Sequence, residues 1–191
     1  MMVRAVWGCV ALLVAGSAIA ADTATLWRNL SWFEGEWRGT EEALRGSGTA
    51  SRCFAPILDG RYMFSRNHAR FASQPRNPEG ERRGEWHVYS RDFDRGVIVL
   101  RRFGSGGQIA TFELVPEASR SDRYVFASVA FDNAPAEMHG RVTLTIGRSD
   151  TFTERLELGP DPDSLVKVSE GRWRRQSHDP GPCAGVEPGP N

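Results

Sequence analysis

Charged residues on otherwise apolar faces are where chemistry could begin in this chain. Val97, Val99, Arg101 and Phe103 alternate along one stretch and share a face. Tyr62, Phe64, Arg66, His68 and Arg70 share another, as do Phe152, Glu154, Leu156 and Leu158, and then Val166, Val168 and Glu170. If these faces point into a core, Arg66, Arg101, Glu154 and Glu170 fall inside it or at its rim. A buried charge must be paired there or it is strongly destabilising. Two arrangements satisfy that requirement. In one, Arg66 or Arg101 grips an anionic head group in a polar pocket, with Tyr62, Tyr89 and His68 beside it. In the other, arginines and glutamates satisfy one another and fill the interior. Glu154 and Glu170 could also act as an acid and base pair, but nearby arginines would keep both ionised.

Other chemistries lack their signatures. There is no G-x-S-x-G nucleophile motif, and Gly46-Ser47-Gly48 and Gly104-Ser105-Gly106-Gly107 read as turns. The phosphate-cradle reading fails for want of a G-K-[ST] and a following helix. His68, His87, His139 and His178 are scattered, although His68 and His87 could meet across neighbouring strands. Metal sites need three or four converging donors, so no metal site and no catalytic residue is assigned.

The elements that must position these residues are mostly strands. Asp22 or Thr23 can cap a short helix reaching Asn29 or Phe33, with Leu26, Leu30 and Phe33 at helical spacing. After Gly35 the period becomes two. Alternation and turn residues place ten strands near 36–44, 49–57, 60–71, 85–94, 96–103, 108–115, 123–131, 140–147, 151–158 and 165–175. Ser73 to Gly84 reads as a long loop. Residues 177–191 read as an irregular tail rich in Pro and Gly. Many short strands without a long helix predict an all-β sandwich or barrel.

Residues 1–20 read as a cleavable export signal: Arg4, an apolar run, then Ser17-Ala18-Ile19-Ala20 at the cleavage site. Cys9 precedes most of the apolar run, which argues against a lipid anchor. Cleavage removes Arg4 and no acid, so 24 basic and 24 acidic residues become 23 and 24. That balance gives no reason to expect nucleic acid or an anionic membrane as partner, and the mature chain has no span. The expected location is periplasmic or secreted. Cys53 and Cys183 remain, and an oxidising compartment favours a disulfide between them that pins the tail.

Gly35-Glu36-Trp37-Arg38-Gly39 follows the short helix and opens the first strand. With Arg172, Trp173, Arg174 and Arg175 on the last strand, it resembles the start and end of calycin-type barrels: lipocalins, fatty-acid-binding proteins and nitrobindin-like proteins. The resemblance spans about 24–176 and looks closest to uncharacterised secreted bacterial barrels. It implies an up-and-down antiparallel barrel of about ten strands over 21–176. Trp37 would plug one end, Gly35 and Gly39 would be structural, and Arg172 or Arg174 would pack over the Trp37 ring. Nitrobindin-like proteins suggest haem through a histidine on the last strand. Val168 stands near that place and 165–175 hold no histidine, so no cofactor is expected.

The functional expectation is an exported barrel that takes a small apolar or anionic amphipathic ligand. The alternatives are a filled barrel acting as a structural or interaction module, and an enzyme on lipid-like substrates.

Overall fold

The structure is a computed structural model that describes residues 22–135, 137–181 and 183. The expected export signal, with Cys9, lies outside the described residues. Asp22 caps the helix α1 (Thr23–Asn29) by accepting from the Thr25 amide at 3.2 Å. A 3₁₀ turn (Leu30–Phe33) follows. Ten strands then form one closed barrel: β1 (Gly35–Ala43), β2 (Gly46–Ile57), β3 (Tyr62–Phe71), β4 (Glu81–Asp92), β5 (Val97–Gly104), β6 (Ile109–Leu114), β7 (Arg123–Asp132), β8 (His139–Ile146), β9 (Thr151–Gly159) and β10 (Val166–Ser177). Each strand pairs antiparallel with its neighbour in sequence, and β1 pairs with β10 to close the ring. The all-β, ten-stranded composition with one short helix is the one that period and turn residues predict, and the up-and-down barrel is the one that the calycin resemblance implies. β4 starts earlier than expected. Its first residues, Glu81 and Arg83, form an ion pair at 3.3 Å, so charge hides the strand's apolar period.

Closure works because β1 and β10 come unusually close. A Cβ at Gly39 would stand 1.9 Å from the Arg172 carbonyl oxygen, and one at Gly35, at φ +115°, 2.1 Å from that of Ser177. Only glycine fits either position. The helix plugs this end of the barrel, burying Leu26, Leu30 and Phe33 against Trp37, Phe54 and Phe152. Trp37 Nε1 donates to the Phe33 carbonyl at 2.7 Å. The cation over its ring is Arg175, at 4.2 Å, not Arg172 or Arg174. Trp173 points inward, so Arg172 and Arg174 point out, and register sets Arg175 opposite Trp37. Arg175 also donates to the carbonyls of Trp32 and Glu34, tying helix to barrel.

Cys53 and Cys183 form a disulfide with Cα atoms 5.8 Å apart. Cys183 is buried on the outside of the barrel with Cys53, Ala55 and Phe64. The tail thereby covers an apolar patch that would otherwise face water. No described helix is long and apolar enough to cross a membrane.

Candidate functional site

The expected site residues separate by strand parity. On β3 the core takes Met63, Ala69 and Phe71, with Ser65 and Asn67 in phase with them. Tyr62, Arg66 and His68 therefore face outward, against expectation, and share that face with Phe64, which packs under the tail. On β5 the core takes Ile98 and Leu100, so Arg101 is also outside, exposed and donating to Ser90 Oγ at 3.2 Å. Glu170 lies on the outer face too, held by Arg155 at 2.9 Å and Arg172 at 2.7 Å. A bulge between Lys167 and Ser169 shifts its register. Glu154 and Tyr89 point inward as expected. Glu154 and Glu170 thus stand on opposite faces and form no acid and base pair. His68 and His87 likewise point to opposite faces, and no group of metal-binding residues occurs among the described residues.

Three interior charges besides Glu154 are not marked by the sequence patterns: Arg52, Arg102 and Glu85. Arg52 follows Ala50 and precedes Phe54 on the inward face of β2; Arg102 follows Ile98 and Leu100 on β5; Glu85 and His87 precede Tyr89 on β4. Being in phase with core residues was the available signal. Arg52 grips Glu154 with both nitrogens, at 2.5 and 3.2 Å, and lies over the Trp173 ring at 4.6 Å. Arg102 bonds Glu85 at 2.6 Å and stands 3.7 Å from Glu154. His87 Nε2 meets Glu85 at 3.1 Å. A satellite group binds Glu41 to Arg83 at 3.1 Å and to Asn67 at 3.4 Å.

Electrostatics in this belt follow from burial and pairing. Burial would raise the Glu154 carboxyl, but Arg52 and Arg102 outweigh it and hold it down at about 2. Glu85 is treated the same way by burial, then Arg102 and His87, and ends well below the usual carboxylate range. Burial, then the Arg102 charge, lowers His87, so its ring is neutral. A neutral ring donating from Nε2 to Glu85 leaves Nδ1 an acceptor. Burial pushes the Tyr89 phenol up, keeping it protonated.

Above the belt the barrel opens. A cavity of about 320 Å³ enters at the end opposite the helix. Phe112, Phe131, Leu156 and Leu158 wall it, and Glu85 and Arg102 lie at its floor. Gly140 makes room for the wall: a Cβ there would meet Leu158, Phe131 and Phe112 within 3.2 Å. Arg102 Nη1, Arg52 Nε, His87 Nδ1 and the Tyr89 hydroxyl are buried and have no hydrogen-bond partner among the described residues. Such groups are rare in native interiors, and of these four residues Arg102 lines the cavity.

No protein-family model matches the sequence, and no curated protein matches it. Among solved structures, the chain is similar to the crystal structure of Rv2717c from M. tuberculosis, with 14% identity and a TM-score of 0.56, over 80% of this chain and 98% of that one. At that identity the likeness concerns the fold, a β-barrel. The structure of EF1p2_mFAP2b bound to DFHBI is 10% identical over 79% of this chain and 99% of that one. Its TM-score is 0.40.

Proposed function

We propose that this is an exported calycin-type barrel that binds one small amphipathic molecule in the mouth opposite the helix. The observation that carries the reading is the mouth itself: an apolar wall above a charged floor of Glu85 and Arg102, where Arg102 Nη1 lacks a partner among the described residues. Its volume lies at the small end of the range for ligand pockets. The floor is also charge-balanced, with Arg102 against Glu85, and so is the belt beneath it, with Arg52 against Glu154. A ligand carboxylate would upset that balance. The fitting head group is uncharged and both donates and accepts hydrogen bonds, which narrows the anionic expectation. The disulfide supports an oxidising, extracytoplasmic location.

Titration with the neutral polarity probe prodan tests the reading. One saturable site is expected. Ala110→Trp, which plants a large side chain in the cavity wall, should abolish it while the barrel keeps its melting temperature within a few degrees. Native mass spectrometry of protein purified from its own host should retain a bound small molecule. A bare mass there, together with no prodan binding, favours the filled structural barrel.

A further inference from the structure

The outer face of β1 to β4 carries arginines that the mouth does not use. Register sets Arg38 opposite Ser51, Ser51 opposite His68 and His68 opposite Gly84, in one row across the strands. The adjacent outward row holds Thr49, Arg70 and Arg82. Arg38, Arg70 and Arg82 are exposed, and none has an acidic partner among the described residues. By contrast, Arg155 is tied to Glu170, and Arg172 to Glu42 and Glu170. Arg174, opposite Arg38 on β10, adds a further exposed cation to the same side.

The surface between these arginines is hollow. A concavity of about 640 Å³ lies there, with Ser51, Gly84 and Ser105 among the residues that line it. A Cβ at Gly84 would reach no atom closer than 3.7 Å, so the floor is open. Three free guanidinium forks around one depression, with the Thr49 and Ser51 hydroxyls between them, match the oxygens of more than one phosphate. The chain as a whole has no net charge, so this attraction is local. We propose that this hollow is a second binding site, for a molecule bearing two or more phosphate charges. It is independent of the mouth, which faces the barrel interior.

Calorimetric titration of the disulfide-bonded protein with inorganic tripolyphosphate tests the site. One tripolyphosphate per chain is expected. Arg38→Ala/Arg70→Ala should weaken binding about a hundredfold, because each of the two charged hydrogen bonds lost is worth roughly a factor of ten. Gly84→Leu removes no charge but fills the floor, and should weaken binding as well; Ser51→Leu serves the same purpose if Gly84→Leu does not fold. Absence of binding overturns the proposal. So does binding that the arginine variant loses and the floor variants keep, since that describes a diffuse basic patch. Sedimentation with phosphatidylcholine vesicles, with and without phosphatidylinositol bisphosphate, gives the source. Vesicle binding lost in both kinds of variant supports the site with a lipid head group as its ligand. Tripolyphosphate binding without vesicle binding supports it with a soluble phosphorylated molecule.

Discussion

Arg52 and Glu154 meet at 2.5 Å in the barrel interior, with side chains 2% and 7% exposed. Neither charge has water to fall back on. Arg52→Met leaves the buried Glu154 carboxylate with only the more distant Arg102 and should cost about 3–5 kcal/mol. Glu154→Gln keeps an acceptor for Arg52 and should cost less. The double variant Arg52→Met/Glu154→Leu removes both charges and should recover much of the loss. Urea unfolding of the three proteins checks this; a double variant no more stable than Arg52→Met alone would overturn it. Alternation with Val97, Val99 and Phe103, and with Tyr62 and Phe64, pointed to Arg101 and Arg66 as the inward cations. Arg52 and Arg102 fill it because they share phase with Ala50, Phe54, Ile98 and Leu100.

At the scale of elements, β3 shows what alternation can and cannot say. Its two faces are Tyr62, Phe64, Arg66, His68 and Arg70, and Met63, Ser65, Asn67, Ala69 and Phe71. Each carries aromatic and polar residues, so the period is evident and the phase is not. The outer face of β3 tolerates Phe64 because the tail covers it, and the disulfide holds the tail there. The bridge closes a loop with a sequence separation of 130. On the chain-entropy model it contributes about 4–5 kcal/mol, or about 10–15 °C in melting temperature for a domain of this size. Cys53→Ser/Cys183→Ser should show that drop, and its Phe64 patch should bind a hydrophobic dye that the native protein excludes. An unchanged melting temperature would remove the tail from the account of stability.

The whole molecule responds to acid through its interior belt. His87 has a lowered affinity for protons in the folded state, so below about pH 6.5 the unfolded chain binds more protons and stability falls. Glu154 and Glu85 are held down by Arg52 and Arg102, so their contribution is complete above about pH 4.5 and is lost as pH drops toward 2. Glu41, raised by burial and then by Glu85, acts in the opposite sense and offsets part of the loss. Urea midpoints should therefore decline in two stages from neutral pH downward. His87→Gln should flatten the first stage and leave the second. A midpoint that holds steady from about pH 7 to about pH 5 would contradict the neutral, buried His87.

The sequence by itself determined an all-β chain of ten strands, and its resemblance to calycin-type barrels pointed to closure. Period-two stretches between turn residues determined ten strands, the Gly35-Glu36-Trp37-Arg38-Gly39 run after a short helix determined where the ring begins, and Cys53 with Cys183 provided the disulfide. These features are local, or follow from composition, and survive without knowing any neighbour. Tertiary structure alone decided which face of each strand is inside, because burial of both faces of β2 and β3 depends on closure and on the tail. It also decided which arginine covers Trp37, since the register of β10 against β1 carries a shift at Glu36/Trp37. Above all it decided how charge is distributed. An even count of acids and bases hides a balanced belt inside and an unpaired arginine hollow outside, and only pairing across strands far apart in sequence separates the two.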